Sequence, residues 1–276
     1  MRSCKLPSGA AMPVFGLGTW RMGESAGRRR EELDALRYGI ELGYPLIDTA
    51  EMYGEGAAEE IVGEAIAGLG KRPYIVSKVY PHNATRTGTV AACERSLKRL
   101  GIESIDLYLL HWRGGARLEE TFEAFHRLRA AGKIADFGVS NFDRGDMEDA
   151  ARLDKGLTGS NQVLYCLSRR GPEFDLLPFM RKRSIPLMAY SPLDQGSLLR
   201  KSALKKLADE AGCTPAQLAL AWLLAQPGVV TIPKSSSRER VKENLGALDV
   251  KLPPKVLAEL DRAFPPPKGK QALEML

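Results

Sequence analysis

The sequence has few cysteines and no long apolar run. Its four cysteines lie far apart, which excludes a disulfide framework and argues against a Cys-x-x-Cys metal site. No apolar run approaches the roughly 20 residues that a membrane-spanning helix needs, and the N-terminus lacks the apolar stretch of a signal peptide. We therefore expect a protein of a reducing compartment, the cytoplasm, with no membrane partner and no bound metal.

The charges are only slightly unbalanced and are spread along the chain. Lysine and arginine number 40 against 34 acidic residues, a net charge of +6. Because a nucleic-acid-binding protein concentrates its basic residues on one face, we expect no nucleic-acid partner. Hydrophobic residues make up 44% of the chain, which excludes a mainly disordered protein. No linker interrupts this composition, so we predict a single domain over residues 1–276, with the prolines at 265–267 in a tail.

Short apolar runs of the kind found in buried parallel strands recur along the chain. The eight runs lie at 14–17, 46–48, 74–77, 107–110, 137–139, 162–164, 186–189 and 229–232. Amphipathic stretches separate them. In one of these, Val90, Cys93 and Leu97 recur at helical spacing and Gly101 follows as a stop signal. Residues 214–217 have the pattern of a capping box and begin a further helix inside the widest gap.

Strand and helix alternating eight times favours an α/β protein of the TIM-barrel class, a closed (β/α)8 barrel. An open doubly wound sheet is the alternative. Residues 3–13 turn around Pro7, Ser8 and Gly9 and are predicted to form an N-terminal hairpin, and the additional helical patterns predict extra helices outside the repeat.

Four chemically active side chains follow the predicted strands. Asp48, Lys78 and His111 come at the ends of the second, third and fourth runs, and Tyr53 follows shortly after Asp48. Each alone has an ordinary explanation: a turn residue, a solvated charge, an interior histidine or a packing phenol. Barrel strands, however, bring their carboxyl ends to one mouth, where active sites lie.

Together the four residues make chemical sense as a proton relay. A tyrosine with a pKa near 10 is a weak acid at neutral pH. A nearby Lys78 ammonium is expected to lower the pKa of Tyr53, while Asp48 holds the lysine in place. His111 can hydrogen-bond a substrate oxygen. We expect this relay to act on a carbonyl oxygen without a metal.

The sequence resembles the aldo-keto reductase family over essentially its full length. The four residues match the family's Asp, Tyr, Lys and His pattern, and within the family the chain is most similar to the short bacterial branch that includes methylglyoxal reductases. The matching motifs are GLGTW at 16–20, LIDTAEMYGEGAAEEIVGEAI at 46–66, GVSNF at 138–142, NQVLY at 161–165, AYSPL at 189–193 and IPKSSSRERVKEN at 232–244.

The resemblance implies NADPH as cofactor, bound across the barrel mouth without a Rossmann Gly-x-Gly-x-x-Gly motif, which this chain lacks. By position, Ser140, Asn141 and Gln162 match the contacts to the nicotinamide amide, and Tyr190 matches the ring that stacks on the nicotinamide. The loop over the pyrophosphate matches Ser191, Pro192, Leu193, Gln195 and Gly196. The contacts to the 2′-phosphate and adenine match Lys234, Ser235, Arg240, Glu243 and Asn244. The remaining matches are Gly18, Thr19, Trp20, Asp48, Ile232 and Ser236. Independently of the family, Lys234 and Arg240 suit a phosphate dianion and so favour NADPH over NADH.

The expected function is NADPH-dependent reduction of small aldehydes and ketones, including dicarbonyls such as methylglyoxal, with Tyr53 donating the proton. The predicted substrate pocket is lined by Trp20, Tyr53, His111 and Trp112. Where the family often has proline and tryptophan, this chain has Arg113 and His82, and it lacks the long C-terminal loop of larger relatives. We therefore expect an open pocket with relaxed specificity, in a protein that, like many family members, is a monomer.

Two other functions fit the same residues. The fold also serves as a slow, redox-sensing, NADPH-binding subunit of larger assemblies. A Schiff-base aldolase on a barrel would use Lys78 as its nucleophile.

Overall fold

The eight-stranded sheet is entirely parallel and follows chain order. The computed structural model describes residues 2–154 and 156–276. After an antiparallel hairpin of β1 (Ser3–Lys5) and β2 (Ala11–Pro13), the sheet runs from β3 to β10. Its strands are β3 Leu17–Gly18, β4 Leu46–Asp48, β5 Tyr74–Val79, β6 Ile105–Leu110, β7 Ile134–Ser140, β8 Asn161–Leu164, β9 Leu187–Tyr190 and β10 Val229–Thr231.

The first and last strands of the sheet meet, so the sheet closes into a barrel. Gly16 N donates to Thr231 O at 3.0 Å, Thr231 N donates to Val14 O at 3.0 Å, and Gly18 N donates to Pro233 O at 3.1 Å. These bonds confirm the closed (β/α)8 barrel and exclude the open-sheet alternative, since an open sheet leaves both edge strands unpaired.

The helices pack around this barrel. Eight of them follow the strands: α1 Arg29–Glu41, α2 Ala57–Ile66, α3 Arg86–Leu100, α4 Leu118–Ala130, α5 Arg144–Leu153, α6 Leu176–Lys182, α8 Pro215–Ala225 and α9 Arg238–Leu245. The additional helices α7 (Ser202–Glu210) and α10 (Pro254–Ala263) pack against each other outside the repeat. The capping box of Thr214 and Gln217 is present at the start of α8, and Gly101 ends α3 with a φ of 65°.

The strand boundaries differ from the sequence prediction in an instructive way. β5 extends past the predicted end at residue 77 to include Lys78, and β7 continues to Ser140. Polar residues here belong to strands because their side chains face the barrel mouth, so the apolar pattern stops before the strand does. The first strand is shorter than expected, because residues 14–16 pair only through isolated contacts at the seam.

The hairpin covers the N-terminal end of the barrel. Leu6 and Met12 are buried and pack in a cluster with inward-facing residues of the strands, among them Leu107 and Val230. The opposite end is thereby left as the open mouth. In the described part of the chain, no helix has the length and apolarity needed to cross a bilayer.

Candidate active site

Parallel strands bring three of the predicted catalytic residues to one end of the barrel. Asp48 is the last residue of β4, Lys78 is the penultimate residue of β5, and His111 directly follows β6. Tyr53 begins the short helical turn Tyr53–Gly56 that connects β4 to α2. The structure therefore brings all four residues together, although they are spread over more than sixty positions of the sequence.

The turn that presents Tyr53 depends on glycine. Gly54 has a φ of 55°, and a Cβ at this position would lie 2.9 Å from the main-chain oxygen of Met22. Gly56 has a φ of 98°. Because residues with a Cβ disfavour this region and a Cβ has no space at residue 54, the turn requires glycine at position 54 and favours it at position 56.

Lys78 lies at the centre of the site and is fully buried. Its Nζ donates to both carboxylate oxygens of Asp48 at 2.8 Å and to the main-chain oxygen of Thr49 at 2.9 Å. The Tyr53 hydroxyl is the most distant of its partners, at 3.3 Å. A buried ammonium needs such partners, because removal from water without them is very costly. Asp48 therefore fixes the position from which Lys78 reaches Tyr53.

Burial controls the pKa of Tyr53, which is one point where the sequence prediction is wrong. We expected Lys78 to lower this pKa, but burial raises it well above 10, and the negative charge of Asp48 raises it further. The Lys78 charge is offset by Asp48, which is closer to Nζ than the phenol is. Burial likewise lowers the pKa of Lys78 and raises that of Asp48, and each partner opposes the shift of the other.

The His111 ring packs edge-on against Tyr53 in the cavity wall, with the two ring centroids 5.6 Å apart and the planes at 73°. Burial, together with the nearby Lys78 charge, holds the pKa of His111 well below 6.5. The imidazole is therefore neutral at pH 7. A neutral imidazole can donate one hydrogen bond to a carbonyl oxygen without placing a second positive charge beside the lysine.

A chain of hydrogen bonds joins the catalytic residues to the neighbouring strands. Gln162 Nε2 donates to Asp48 Oδ1 at 2.7 Å, and Ser140 Oγ donates to the main-chain oxygen of Gln162 at 2.8 Å. Asn141 Nδ2 donates to Ser140 Oγ at 3.2 Å, and Tyr190 OH donates to Asn141 Oδ1 at 3.0 Å. This network fixes the amides and the phenol ring that were predicted to hold the nicotinamide.

These residues surround a cavity of ≈ 290 Å³ at the barrel mouth. All four predicted substrate residues, Trp20, Tyr53, His111 and Trp112, line it. The predicted cofactor residues that also line it are Gly18, Asp48, Ser140, Asn141, Gln162, Tyr190, Ser191, Pro192, Ile232 and Lys234.

The other predicted cofactor residues extend away from this cavity. Thr19 is buried and bonds the main-chain oxygen of Asp48. Lys234 Nζ donates to Ser236 Oγ at 2.9 Å, and burial lowers the pKa of Lys234. The rest lie in three places: Leu193, Gln195 and Gly196 in the loop after β9, Ser235 in the loop after β10, and Arg240, Glu243 and Asn244 on α9. Asn244 is almost fully buried and Arg240 is exposed.

Three residues that the sequence did not point to also line the cavity: Met52, Met275 and Leu276. Met52 precedes Tyr53 and could have been inferred from that position. No periodicity or motif pointed to the last two, and we expected an open pocket because the chain lacks a long C-terminal loop. The short segment 268–276 nevertheless reaches the cavity.

His82 and Arg113, where the chain departs from the family pattern, lie beside the cavity instead of lining it. The His82 ring packs on Tyr80 with a centroid distance of 4.3 Å, and Tyr80 packs edge-on against Trp112. Arg113 bonds Asp146 at 2.6 Å and Asp149 at 2.9 Å, both on α5. His82 is therefore linked to the cavity wall through Tyr80 and Trp112, whereas Arg113 is held against α5.

Comparison with known proteins decides the family. The model of the aldo/keto reductase family matches residues 14–264. The chain belongs to the aldo/keto reductase family. A methylglyoxal reductase, YeaE, of Escherichia coli is 48% identical over 272 residues, which is 96% of each chain. A glyoxal reductase of Bacillus subtilis is 35% identical, with 93% of this chain and 91% of the relative covered.

A solved structure gives the same assignment. The aldo-keto reductase from Klebsiella pneumoniae, crystallised in complex with NADPH, has a TM-score of 0.95 and 48% identity, covering 100% of this chain and 99% of that chain. The resemblance inferred from the motifs is thus confirmed, and this aldo/keto reductase is an oxidoreductase.

Proposed function

We propose that this aldo/keto reductase uses NADPH to reduce small aldehydes and ketones to alcohols, including dicarbonyls such as methylglyoxal, with Tyr53 as the proton donor. The observation that carries the proposal is the arrangement of Lys78 between Asp48 and Tyr53, opposite a neutral His111, in one cavity. The names of the Escherichia coli and Bacillus relatives support a dicarbonyl substrate.

The residues present fit NADPH. The ordered amides of Asn141 and Gln162 and the ring of Tyr190 offer hydrogen bonds and a stacking surface for a nicotinamide. At the edge of the same cavity, Lys234 supplies a cation suited to a phosphate, with Arg240 farther along on α9. The Klebsiella relative was crystallised with this cofactor. When bound, the reduced nicotinamide supplies a hydride for the carbonyl carbon.

The chain's own residues handle the proton. Because the pKa of Tyr53 is far above neutral, its hydroxyl carries the proton that a developing alkoxide needs. Lys78 Nζ, 3.3 Å from that hydroxyl, stabilises the phenolate left behind. Asp48 keeps the ammonium in position, and His111 orients the carbonyl oxygen toward Tyr53.

The cavity supports small substrates. Ligand cavities usually measure roughly 300–1,000 Å³, and this one lies at the lower end at ≈ 290 Å³. Its walls include the indole rings of Trp20 and Trp112 and the side chain of Met52. A carbonyl compound of a few carbon atoms fits such a space better than a bulky one.

The decisive assay follows NADPH oxidation by absorbance with methylglyoxal and a panel of small aldehydes, with NADH in parallel. We expect rapid turnover with NADPH and slower turnover with NADH. Tight NADPH binding without turnover of any carbonyl would contradict the proposal and favour the redox-sensing alternative. A bulky substrate preferred over methylglyoxal by several hundredfold would contradict the substrate class.

The geometry does not favour the aldolase. Lys78 Nζ is fully buried and directed at three oxygen-bearing partners, so it has no free approach for attack on a carbonyl carbon. Borohydride in the presence of substrate should therefore trap no adduct on Lys78. The monomeric state and the cytoplasmic location stay predictions from the sequence.

A further inference from the structure

The loop after β9 and the segment 268–276 are held by one arginine. Arg169 Nη1 donates to both carboxylate oxygens of Glu274, to Oε1 at 3.1 Å and to Oε2 at 3.3 Å. On its other side, Arg169 Nε lies 3.5 Å from Asp194 Oδ1. Asp194 belongs to the loop 191–196, and Glu274 is adjacent to Met275 in the segment that reaches the cavity.

The loop on the Asp194 side has a demanding backbone conformation. Ser191, Asp194 and Gln195 have φ values of 45°, 49° and 51°, in the left-handed region that side chains disfavour. Asp194 Oδ2 accepts hydrogen bonds from Ser197 Oγ at 2.6 Å and Ser168 Oγ at 3.0 Å, which hold the turn. A loop with this much strain persists only because such contacts fix it, so the loss of one contact is felt throughout it.

The main chain around Arg169 is itself held in place, so its side chain can connect the loop 191–196 to the segment 268–276. Its main-chain N donates to Cys166 O at 3.0 Å in the turn that follows β8, and the neighbouring Ser168 bonds Asp194. The guanidinium therefore extends from a fixed base. The Asp194 side chain is 11% exposed, whereas that of Glu274 is 52% exposed. Of the two ion pairs of Arg169, the pair with Glu274 is therefore the more accessible to water.

We propose that Arg169 is a positioning residue that couples the cofactor loop to the 268–276 segment, so that seating of this segment through Glu274 slows the release of NADPH. The inference rests on the proposed NADPH site, because the loop is the one predicted to cover the pyrophosphate. Because such coupling is reciprocal, bound NADPH favours the docked position of segment 268–276 by the same factor by which the docked segment raises the affinity for NADPH. Met275 and Leu276 then close the substrate side of the cavity only when the cofactor loop is in place.

The test compares wild type with Glu274→Gln, which keeps the shape of the side chain and removes its charge. Exposed ion pairs contribute enough to change an equilibrium by about one- to fivefold, so we expect NADPH to dissociate about two- to fivefold faster in stopped-flow displacement. The difference should shrink at high salt, because solvent-exposed charges are screened. A matched control is Glu259→Gln, which breaks the exposed pair with Arg262 on α10 and should leave the dissociation rate unchanged.

A second measurement needs no cofactor. In hydrogen exchange of the free protein, Glu274→Gln should speed exchange in residues 270–276 and also in residues 191–197, to which Glu274 is linked through Arg169. In a protein that already carries Arg169→Met, Glu274→Gln should change the NADPH dissociation rate no further, because the residue through which Glu274 acts is absent. Faster exchange confined to 270–276, with a wild-type dissociation rate, would overturn the coupling. If the dissociation rate responds while no carbonyl is reduced, the coupling stands and the proposed reaction fails.

Discussion

At the scale of single residues, the site depends on a lysine that lies closer to its carboxylate partner than to its phenol partner. Lys78 holds Asp48 closely and Tyr53 more loosely, and burial dominates the pKa of the phenol. In the proposed mechanism, Tyr53 keeps its proton in the free enzyme and donates it as negative charge develops on a bound oxygen. Such a mechanism would stabilise the transition state more than the ground state, which is what raises a catalytic rate.

Tyr53→Phe tests this role. Loss of a general acid typically costs 10²–10⁴-fold, so we expect turnover to fall by about that factor while NADPH affinity changes by less than about twofold. Steady-state kinetics and fluorescence titration measure the two quantities. As a control, Tyr108→Phe removes another buried hydroxyl, one with no hydrogen-bond partner in the described chain, and should keep activity. Turnover above a few per cent of wild type would exclude Tyr53 as the acid.

His111 makes stability depend on pH. Its folded-state pKa lies well below 6.5 because of burial and the Lys78 charge. As pH falls below about 6.5, the unfolded chain binds a proton at this residue that the folded chain excludes, so the free energy of unfolding decreases. The slope from this one group approaches 1.4 kcal/mol per pH unit. Urea unfolding between pH 7 and pH 5 should show a smaller decrease for His111→Gln, and an equal decrease in both proteins would refute the assignment.

At the scale of elements, helix α8 shows how local sequence fixes a structure that the site needs only indirectly. Thr214 and Gln217 cap each other's main-chain groups, and Gln217 Nε2 also donates to Glu243 O on α9 at 3.0 Å. The capping box thus connects the start of α8 to the helix that carries the predicted adenine contacts. Both the start and the capping residues of α8 were predictable, because a capping box depends only on neighbouring residues.

Thr214→Ala should lower the free energy of unfolding by about 1 kcal/mol, the usual cost of losing an N-cap side chain. Thr214→Ser retains the hydroxyl and should stay close to wild type. Chemical denaturation of the three proteins measures the difference. We expect the carbonyl-reduction rate of all three to be the same, because the cap lies away from the cavity; equal stability of Thr214→Ala and wild type would show that the cap is not needed.

What the sequence could not predict depends on contacts between distant parts of the chain. The convergence of Asp48, Lys78 and His111 could be predicted because each residue ends an apolar run, and the end of a run is a local feature of the sequence. The direction of the Tyr53 pKa shift depends on how completely three strands and a loop enclose the phenol, and no motif encodes that. The approach of Met275 to the cavity depends on a segment without periodicity, held through Glu274 by an arginine more than a hundred residues away.

At the scale of the whole molecule, the N-terminal hairpin and the cavity lie at opposite ends of the barrel. The hairpin residues Leu6 and Met12 pack into the inner cluster from the closed end, and this cluster continues to Ile232, which lines the cavity at the other end. Because barrel enzymes carry their chemistry at the carboxyl ends of the strands, we expect a change at the closed end to lower stability and to have little effect on the site.

Leu6→Ala tests this separation. The buried side chain leaves a cavity when it is removed, which costs about 2–5 kcal/mol for leucine to alanine. We expect such a loss in urea unfolding, with KM for NADPH and for the carbonyl within about twofold of wild type. Altered KM values in a protein that is still folded would show that the two ends communicate.

The seam where the barrel closes has a consequence for biosynthesis. The cavity spans this seam, with Gly18 and Trp20 on the early side and Ile232 and Lys234 on the late side. Contacts this far apart in the chain form slowly, since the loop between them must be ordered first. Before β10 leaves the ribosome, the nascent chain already contains the four predicted catalytic residues but has no closed barrel around them. Maturation of the enzyme therefore depends on its last strand.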